Sequence, residues 1–296
     1  MNAVTFALWA LCLVMSTFAV AQMKPLYTGA IPYNRPNLPE EKVSRYPDGR
    51  ADGYSKVAVP TLERFDPALG MANRKMAVLV LPGGGNANVS YDREGIKVGK
   101  WLASKGYTAF ALKYRLPDST LQTQTHWVPL TDAATALSDI RKMGAFAKVG
   151  VMGFSAGGHL AASLCTLTEL MPQPPSGARP DFAILVYPVI SSGSPTHART
   201  FANLFSKRPS AADQALFSLE NQVTAKTPPT FIIHSQDDKV VPVENALLYY
   251  KALTKQGVPA EMHLYPKGGH GYNLGEEIEG AKNWPADALE FMERLK

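Results

Sequence analysis

The sequence predicts an α/β fold: a mostly parallel, twisted sheet with helices on both faces, formed by one domain over residues 22–296. Three observations carry that expectation. Short apolar runs alternate with helical patterns at the spacing of parallel strand–helix units. The runs Val78-Leu79-Val80-Leu81 and Ala183-Ile184-Leu185-Val186 are apolar on both sides, as strands covered on two faces must be. Residues 153–159, Gly-Phe-Ser-Ala-Gly-Gly-His, follow the apolar run Val149-Gly150-Val151-Met152 and open into a helix of small residues. With 46% hydrophobic and 19% charged residues, the 296-residue chain has ample material for a large core.

The chain begins with a leader pattern. From Ala3 to Ala21 it is uncharged and apolar apart from Thr5, Ser16 and Thr17, and Ala19-Val20-Ala21 supplies the small-x-small pattern of a signal-peptidase site. No lysine or arginine precedes the run, so only the amino terminus gives a positive n-region. A retained anchor is the rival reading, because the run approaches bilayer-spanning length. The alanine pattern favours cleavage. Residues 1–21 are therefore expected to be a signal peptide, and the mature chain to be secreted or periplasmic with no membrane attachment. Cys12, preceded by Ala10-Leu11, is a poor lipoprotein site. Cleavage leaves Cys165 as the only cysteine and rules out an internal disulfide; it reads as a small core residue.

Residues 22–45 carry Pro25, Pro32, Pro36 and Pro39 and are expected to form an extended arm. Strands are expected at 76–81, 108–113, 149–152, 182–187, 230–233 and 260–265, where short apolar runs lie between turn signals. Helices are expected at 92–105, 132–143, 157–168, 243–256 and 285–295. Residues 191–226 interrupt this rhythm with Ser-Ser-Gly-Ser-Pro, short helical pieces and Phe201, Phe205 and Phe217. Two readings of the insertion stand side by side: a lid over a site at the strand C-termini, or a connection that packs its aromatics into the core. The net charge of +5 comes without a lysine/arginine block or basic helix, so no nucleic-acid partner is expected.

The chemistry starts at Gly153-x-Ser155-x-Gly157. A serine held in so tight a strand-to-helix turn needs glycine on both sides, because neither flank leaves room for a Cβ. The turn lifts the hydroxyl clear of the sheet and aims a helix N-terminus at it. A serine hydroxyl is a weak nucleophile until an imidazole takes its proton, and the imidazole needs a carboxylate to fix its tautomer. With such an elbow, the acid and then the histidine follow the serine in the chain. The strand at 230–233 runs into His234-Ser235-Gln236-Asp237-Asp238-Lys239-Val240-Val241-Pro242. A carboxylate there lies on the same sheet edge as the elbow. Asp238 is the expected acid, with Asp237 second, because Val-Val-Pro anchors the turn just after Lys239. The following strand ends at Pro266-Lys267-Gly268-Gly269-His270-Gly271-Tyr272, whose glycines let the loop approach the sheet edge. His270 is thus expected to reach both Ser155 and Asp238.

Developing negative charge on a carbonyl oxygen needs preorganised N–H donors. The elbow supplies the N–H of Ala156. Leu81-Pro82-Gly83-Gly84-Gly85-Asn86 supplies the second, from Gly84 or Gly85. A phosphate-binding reading of this loop fails for want of Gly-Lys-Ser/Thr, and a dinucleotide reading fails on spacing. Of the remaining histidines, His263 lies inside a strand, His197 in the insertion, and His159 packs in the helix after the serine. His234 is expected to order the acid loop, and His126, beside Trp127, is a candidate wall of a substrate cleft. No histidine pair has metal-ligand spacing, so no metal is expected.

Over residues 78–295 the sequence resembles secreted α/β-hydrolase esterases described as acetylxylan esterase-like or xylanase-associated. Leu-Pro-Gly-Gly-Gly (81–85), Lys-Tyr-Arg-Leu (113–116), Gly-Phe-Ser-Ala-Gly-Gly-His-Leu-Ala (153–161), Asp-Asp-Lys-Val-Val-Pro-Val-Glu-Asn (237–245) and Gly-Gly-His-Gly-Tyr (268–272) carry the resemblance. Asn86 departs from it, since similar sequences usually have tyrosine there, and this leaves the shape of the acyl pocket open. The resemblance implies a serine esterase acting through Ser155, Asp238 and His270 on acetyl esters of plant-type saccharides, without a cofactor. The alternatives are a general carboxylesterase or peptidase-like hydrolase on the same scaffold, or an inactive carbohydrate-binding relative. Peptidases of this kind usually carry a large extra domain, for which 296 residues leave no room. The complete Ser-Asp-His set weighs against inactivity.

Overall fold

The structure, a computed structural model, describes residues 23–206 and 209–295. The expected leader at 1–21 lies outside the described residues. In chain order the elements are β1 (Met23–Pro25), β2 (Lys42–Arg45), β3 (Ala51–Ser55), β4 (Thr61–Phe65), β5 (Met76–Leu81), α1 (Lys97–Ser104), β6 (Thr108–Lys113), α2 (Val128–Lys142), β7 (Lys148–Phe154) and α3 (Ala156–Thr166). There follow β8 (Ala183–Val186), α4 (Ala198–Phe205), α5 (Ala211–Phe217), β9 (Thr230–Ser235), α6 (Glu244–Lys255), β10 (Ala260–Tyr265) and α7 (Trp284–Arg294).

Strands β1-β4-β6-β5-β7-β8-β9-β10 form one sheet, parallel from β6 to β10, with β4 and β1 added antiparallel at the other edge. Every residue of β5, β6, β8 and β9 is buried, which is why these segments read as continuous apolar runs with no period-2 alternation. Helices α1 and α7 share one face, where Trp101 and Trp284 meet at 6.0 Å. Helices α2 and α3 pack on each other and on β5 and β7.

The register aligns the strand ends. Leu81 pairs with Gly153, Phe154 with Val186, Val186 with Ile233, and Ser235 with Tyr265. The glycine loop after β5, the turn after β7, and the loops after β9 and β10 therefore open on a single rim of the sheet. This is where ligands bind in open α/β sheets.

Two features modify the expectations. From residue 23 to 45 the proline-bearing arm is extended but also paired: β1 closes the sheet edge and β2 forms a ribbon with β3. The arm is pinned by Arg115, whose guanidinium donates to the Pro32 carbonyl at 2.6 Å and Asn34 Oδ1 at 2.8 Å. Arg115 is itself paired with Asp132 at 2.6 Å, both side chains fully buried. In the 191–226 insertion, Phe201, Phe205 and Phe217 are all buried. His126 packs against Phe205 and Phe217 in the same cluster, its ring turned into this packing. The insertion also touches the glycine loop after β5, through Asn203 Nδ2 to the Gly85 carbonyl at 2.7 Å and Asn86 Nδ2 to the Thr200 carbonyl at 3.2 Å.

Candidate active site

Ser155 sits between β7 and α3 with φ 53° and ψ −117°, a conformation few non-glycine residues adopt. The flanking glycines make that turn possible. A Cβ on Gly153 would collide with the Gly157 carbonyl and Ala161, and one on Gly157 with the Leu81 and Pro82 carbonyls. The turn carries Ser155 Oγ to 2.9 Å from His270 Nε2. His270 Nδ1 stands 2.7 Å from Asp238 Oδ2. The three groups that were separated by 115 and 32 residues in the chain thus form one hydrogen-bonded run.

Asp238 is held by four donors. Its Oδ1 accepts the amides of Val240 and Val241 at 2.8 and 2.9 Å, and Oδ2 accepts His270 Nδ1 and, at 3.1 Å, His234 Nε2. Burial alone would push this carboxyl up, but the bonds from His234, His270 and Val241 and the charge of His270 outweigh it. They hold Asp238 well below the usual carboxylate range. With Asp238 ionised, Nδ1 is the donor and Nε2 is left to accept from the Ser155 hydroxyl. His234 orders the acid loop by also bonding the Val241 carbonyl at 3.0 Å. Asp237, the second candidate acid, accepts the Gly269 N–H at 2.8 Å and so ties the acid loop to the histidine loop. Gly268 permits that approach, because a Cβ there would strike Ser235 Oγ.

The loop after β5 packs beside Ser155: a Cβ on Gly83 would lie 3.0 Å from the Ser155 Cβ. Gly84 and Gly85 have φ of 130° and 62°, which turns successive peptide groups in a way side chains would resist. Gly83 N–H donates to Glu94 at 2.7 Å, and the Gly83 and Gly84 carbonyls accept from Ser90, Ala87 and Asn88. Among the described residues, the N–H groups of Gly84, Gly85 and Ala156 take no part in these bonds.

The other titratable groups are structural. His159 Nε2 donates to the Phe217 carbonyl at 3.1 Å, and burial pushes its pKa down to about 4. Burial pushes the Cys165 thiol up, so its thiolate, the nucleophilic form, is disfavoured. His263 bonds Glu261 at 2.8 Å, away from this rim. His197, from the insertion, lies near Gly85, and its pKa is lowered by burial and by the charge of His270.

Sequence reasoning missed a group behind the glycine loop. Glu94 is buried, with one oxygen on the Gly83 amide and the other accepting the Tyr187 hydroxyl at 2.8 Å. Tyr187 in turn accepts the Asn273 amide at 3.1 Å, and its ring lies 4.8 Å from that of His270. A lone glutamate within an amphipathic stretch gives no local signal of this role.

Residues 83–274 match a family model described as the alpha/beta hydrolase fold. Over 214 residues the chain is 36% identical to endo-1,4-beta-xylanase B of Butyrivibrio fibrisolvens, covering 69% of this chain and 33% of that protein. It is 34% identical over 211 residues to an acetylxylan esterase of Xylanibacter ruminicola, covering 67% and 41% respectively. The chain therefore spans less than half the length of these two curated relatives. Among solved structures, an acetyl ester-xyloside bifunctional hydrolase from Caldicellulosiruptor lactoaceticus is similar with a TM-score of 0.74 and 32% identity, covering 93% of this chain and 96% of that one. A strand-end serine elbow on a mostly parallel sheet and a family match over well over half its length agree: the chain belongs to the α/β-hydrolase fold family.

Proposed function

We propose that the chain is a serine esterase that removes short acyl groups, acetyl above all, from sugar hydroxyls of plant-type polysaccharides or their fragments. The observation that carries this reading is the run Ser155 Oγ–His270 Nε2, His270 Nδ1–Asp238 Oδ2, at 2.9 and 2.7 Å, with the glycine loop after β5 packed beside Ser155. The names of two similar proteins, an acetylxylan esterase and an acetyl ester-xyloside hydrolase, support the substrate class.

In this mechanism Ser155 Oγ attacks the ester carbonyl as His270 Nε2 takes its proton. The oxyanion is met by the Ala156 N–H and by Gly84 or Gly85, each donor being worth about 10²–10³ in rate. The imidazolium, steadied by ionised Asp238, gives its proton to the departing sugar alcohol. The imidazole, neutral again, takes a proton from water as the water oxygen attacks the acyl carbon, and returns it to Ser155 Oγ as acetate leaves. No metal or organic cofactor enters these steps.

Acetate release from acetylated xylan, acetylated pectin and p-nitrophenyl acetate, set against peptide p-nitroanilides, tests the reading. Hydrolysis of the acetyl esters with no peptide cleavage is the expected result. Peptide cleavage in preference to esters would favour the peptidase alternative, and inertness towards every substrate the binding alternative. We also read residues 1–21 as a cleaved leader of an exported protein, with a mature terminus at Gln22 that N-terminal sequencing of the secreted product would reveal.

A further inference from the structure

Beside the glycine loop lies a cavity of about 400 Å³ that takes no part in the mechanism above. Its walls come from four places: the end of β3, the loop after β5, the loop after β6, and helix α4 of the insertion. Polar groups dominate. Lys56 is ion-paired with Asp118, and Asn86, Asn203 and Ser206 add two amides and a hydroxyl. Leu116 and Leu121 supply the apolar part of the wall.

The cavity is joined to the reaction centre through the chain itself. Asn86 directly follows Gly85, and Asn203 bonds the Gly85 carbonyl at 2.7 Å. Both amides spend Nδ2 on the backbone. An amide Oδ1 only accepts, so each residue brings an acceptor as well to the wall.

We propose that this cavity is the subsite for the sugar moiety of the substrate, holding pyranose residues of an acetylated oligosaccharide while their ester lies over Ser155. The proposal rests on the esterase reading and adds to it where the alcohol side of the ester sits. The volume falls in the usual range of small-ligand pockets, about 300–1,000 Å³. A long acyl chain is a poor occupant. It would desolvate the Lys56–Asp118 pair and the two amides without returning a hydrogen bond, a cost of about 1–3 kcal/mol per group. A polyol returns those bonds, most strongly to the charged pair, and lays its C–H face on Leu116 and Leu121.

Ala202 on α4 and Ser119 on the facing loop are exposed residues at the cavity wall with no contact to the Ser155 run. Ala202→Trp and Ser119→Trp fill the space from opposite sides. Each is expected to lower kcat/KM for acetylated xylotriose about tenfold or more while kcat/KM for p-nitrophenyl acetate stays within about twofold. Equal losses on both substrates, or no loss on either, would overturn the subsite. Titration of unesterified xylotetraose into the full chain reads the same subsite without hydrolysis. Binding that Ala202→Trp removes supports the proposal; absent binding, or binding indifferent to Ala202→Trp, overturns it. Wild-type cleavage of p-nitrophenyl acetate alongside absent xylotetraose binding would remove the subsite and leave the esterase reading standing. Binding without cleavage of any ester would do the reverse.

Discussion

Glu94 lies behind the glycine loop and accepts the Gly83 N–H at 2.7 Å, fixing from below the loop that carries the candidate oxyanion donors. Its second oxygen reaches Tyr187, which holds the Asn273 amide and packs against His270. One carboxylate thereby braces both the glycine loop and the histidine loop. Glu94→Ala leaves the Gly83 N–H and the Tyr187 O–H without an acceptor in the interior, which is expected to cost about 2–4 kcal/mol of stability in denaturant unfolding. Glu94→Gln keeps the shape and an acceptor for Gly83. It is expected to fold while lowering kcat more than it changes KM.

Adjacent aspartates in one turn do different work. Asp238→Asn removes the acceptor that keeps the proton on His270 Nδ1, so kcat is expected to fall by about 10³–10⁴-fold. Asp237→Ala loses only the bond to the Gly269 amide and is expected to cost about tenfold or less. Similar losses from both substitutions, measured on p-nitrophenyl acetate, would contradict this division. Because Asp238 is held well below the usual carboxylate range, it stays ionised in mild acid and adds no proton of its own there. The acid limb of kcat/KM is therefore expected to show the slope of a single proton.

His159 makes stability fall on mild acidification. In the fold, burial lowers its pKa from 6.5 to about 4, so the unfolded chain binds a proton in that window that the native state refuses. Stability from this group is fully present above pH 6.5 and is lost progressively as the pH falls towards 4. The shift corresponds to an order of 3 kcal/mol. His159→Gln, which keeps a donor for the Phe217 carbonyl, is expected to flatten the dependence of unfolding free energy on pH across that window.

Arg115 and Asp132 form a pair with no exposed side-chain surface, and Arg115 also holds the arm through Pro32 and Asn34. Removing one partner leaves an uncompensated buried charge. Asp132→Ala is expected to destabilise the fold by about 3–5 kcal/mol in urea unfolding and to release the arm to limited proteolysis.

The central strands and the three side chains of the serine run were legible because each rests on a local pattern. Fully buried strands read as apolar runs, the elbow as Gly-x-Ser-x-Gly, and the acid and base as loops at strand ends. Strands β1 to β4 were not legible. β1 and β2 are wholly exposed, and β3 and β4 bury only alternate or scattered positions, so no hydrophobic run marks them. Glu94 and Tyr187 were not legible either, because their partnership crosses 93 residues and exists only once the sheet has formed. The Phe cluster of the insertion was visible as composition, but its packing onto His126 and His159 depends on helices that come from elsewhere in the chain.

The most direct measurement is covalent labelling with a fluorophosphonate followed by mass spectrometry of the peptides. One adduct on Ser155, formed rapidly in the wild-type chain and lost in His270→Ala, is the predicted result. A folded chain that takes no label at Ser155, or labels equally well without the imidazole of His270, would contradict the account.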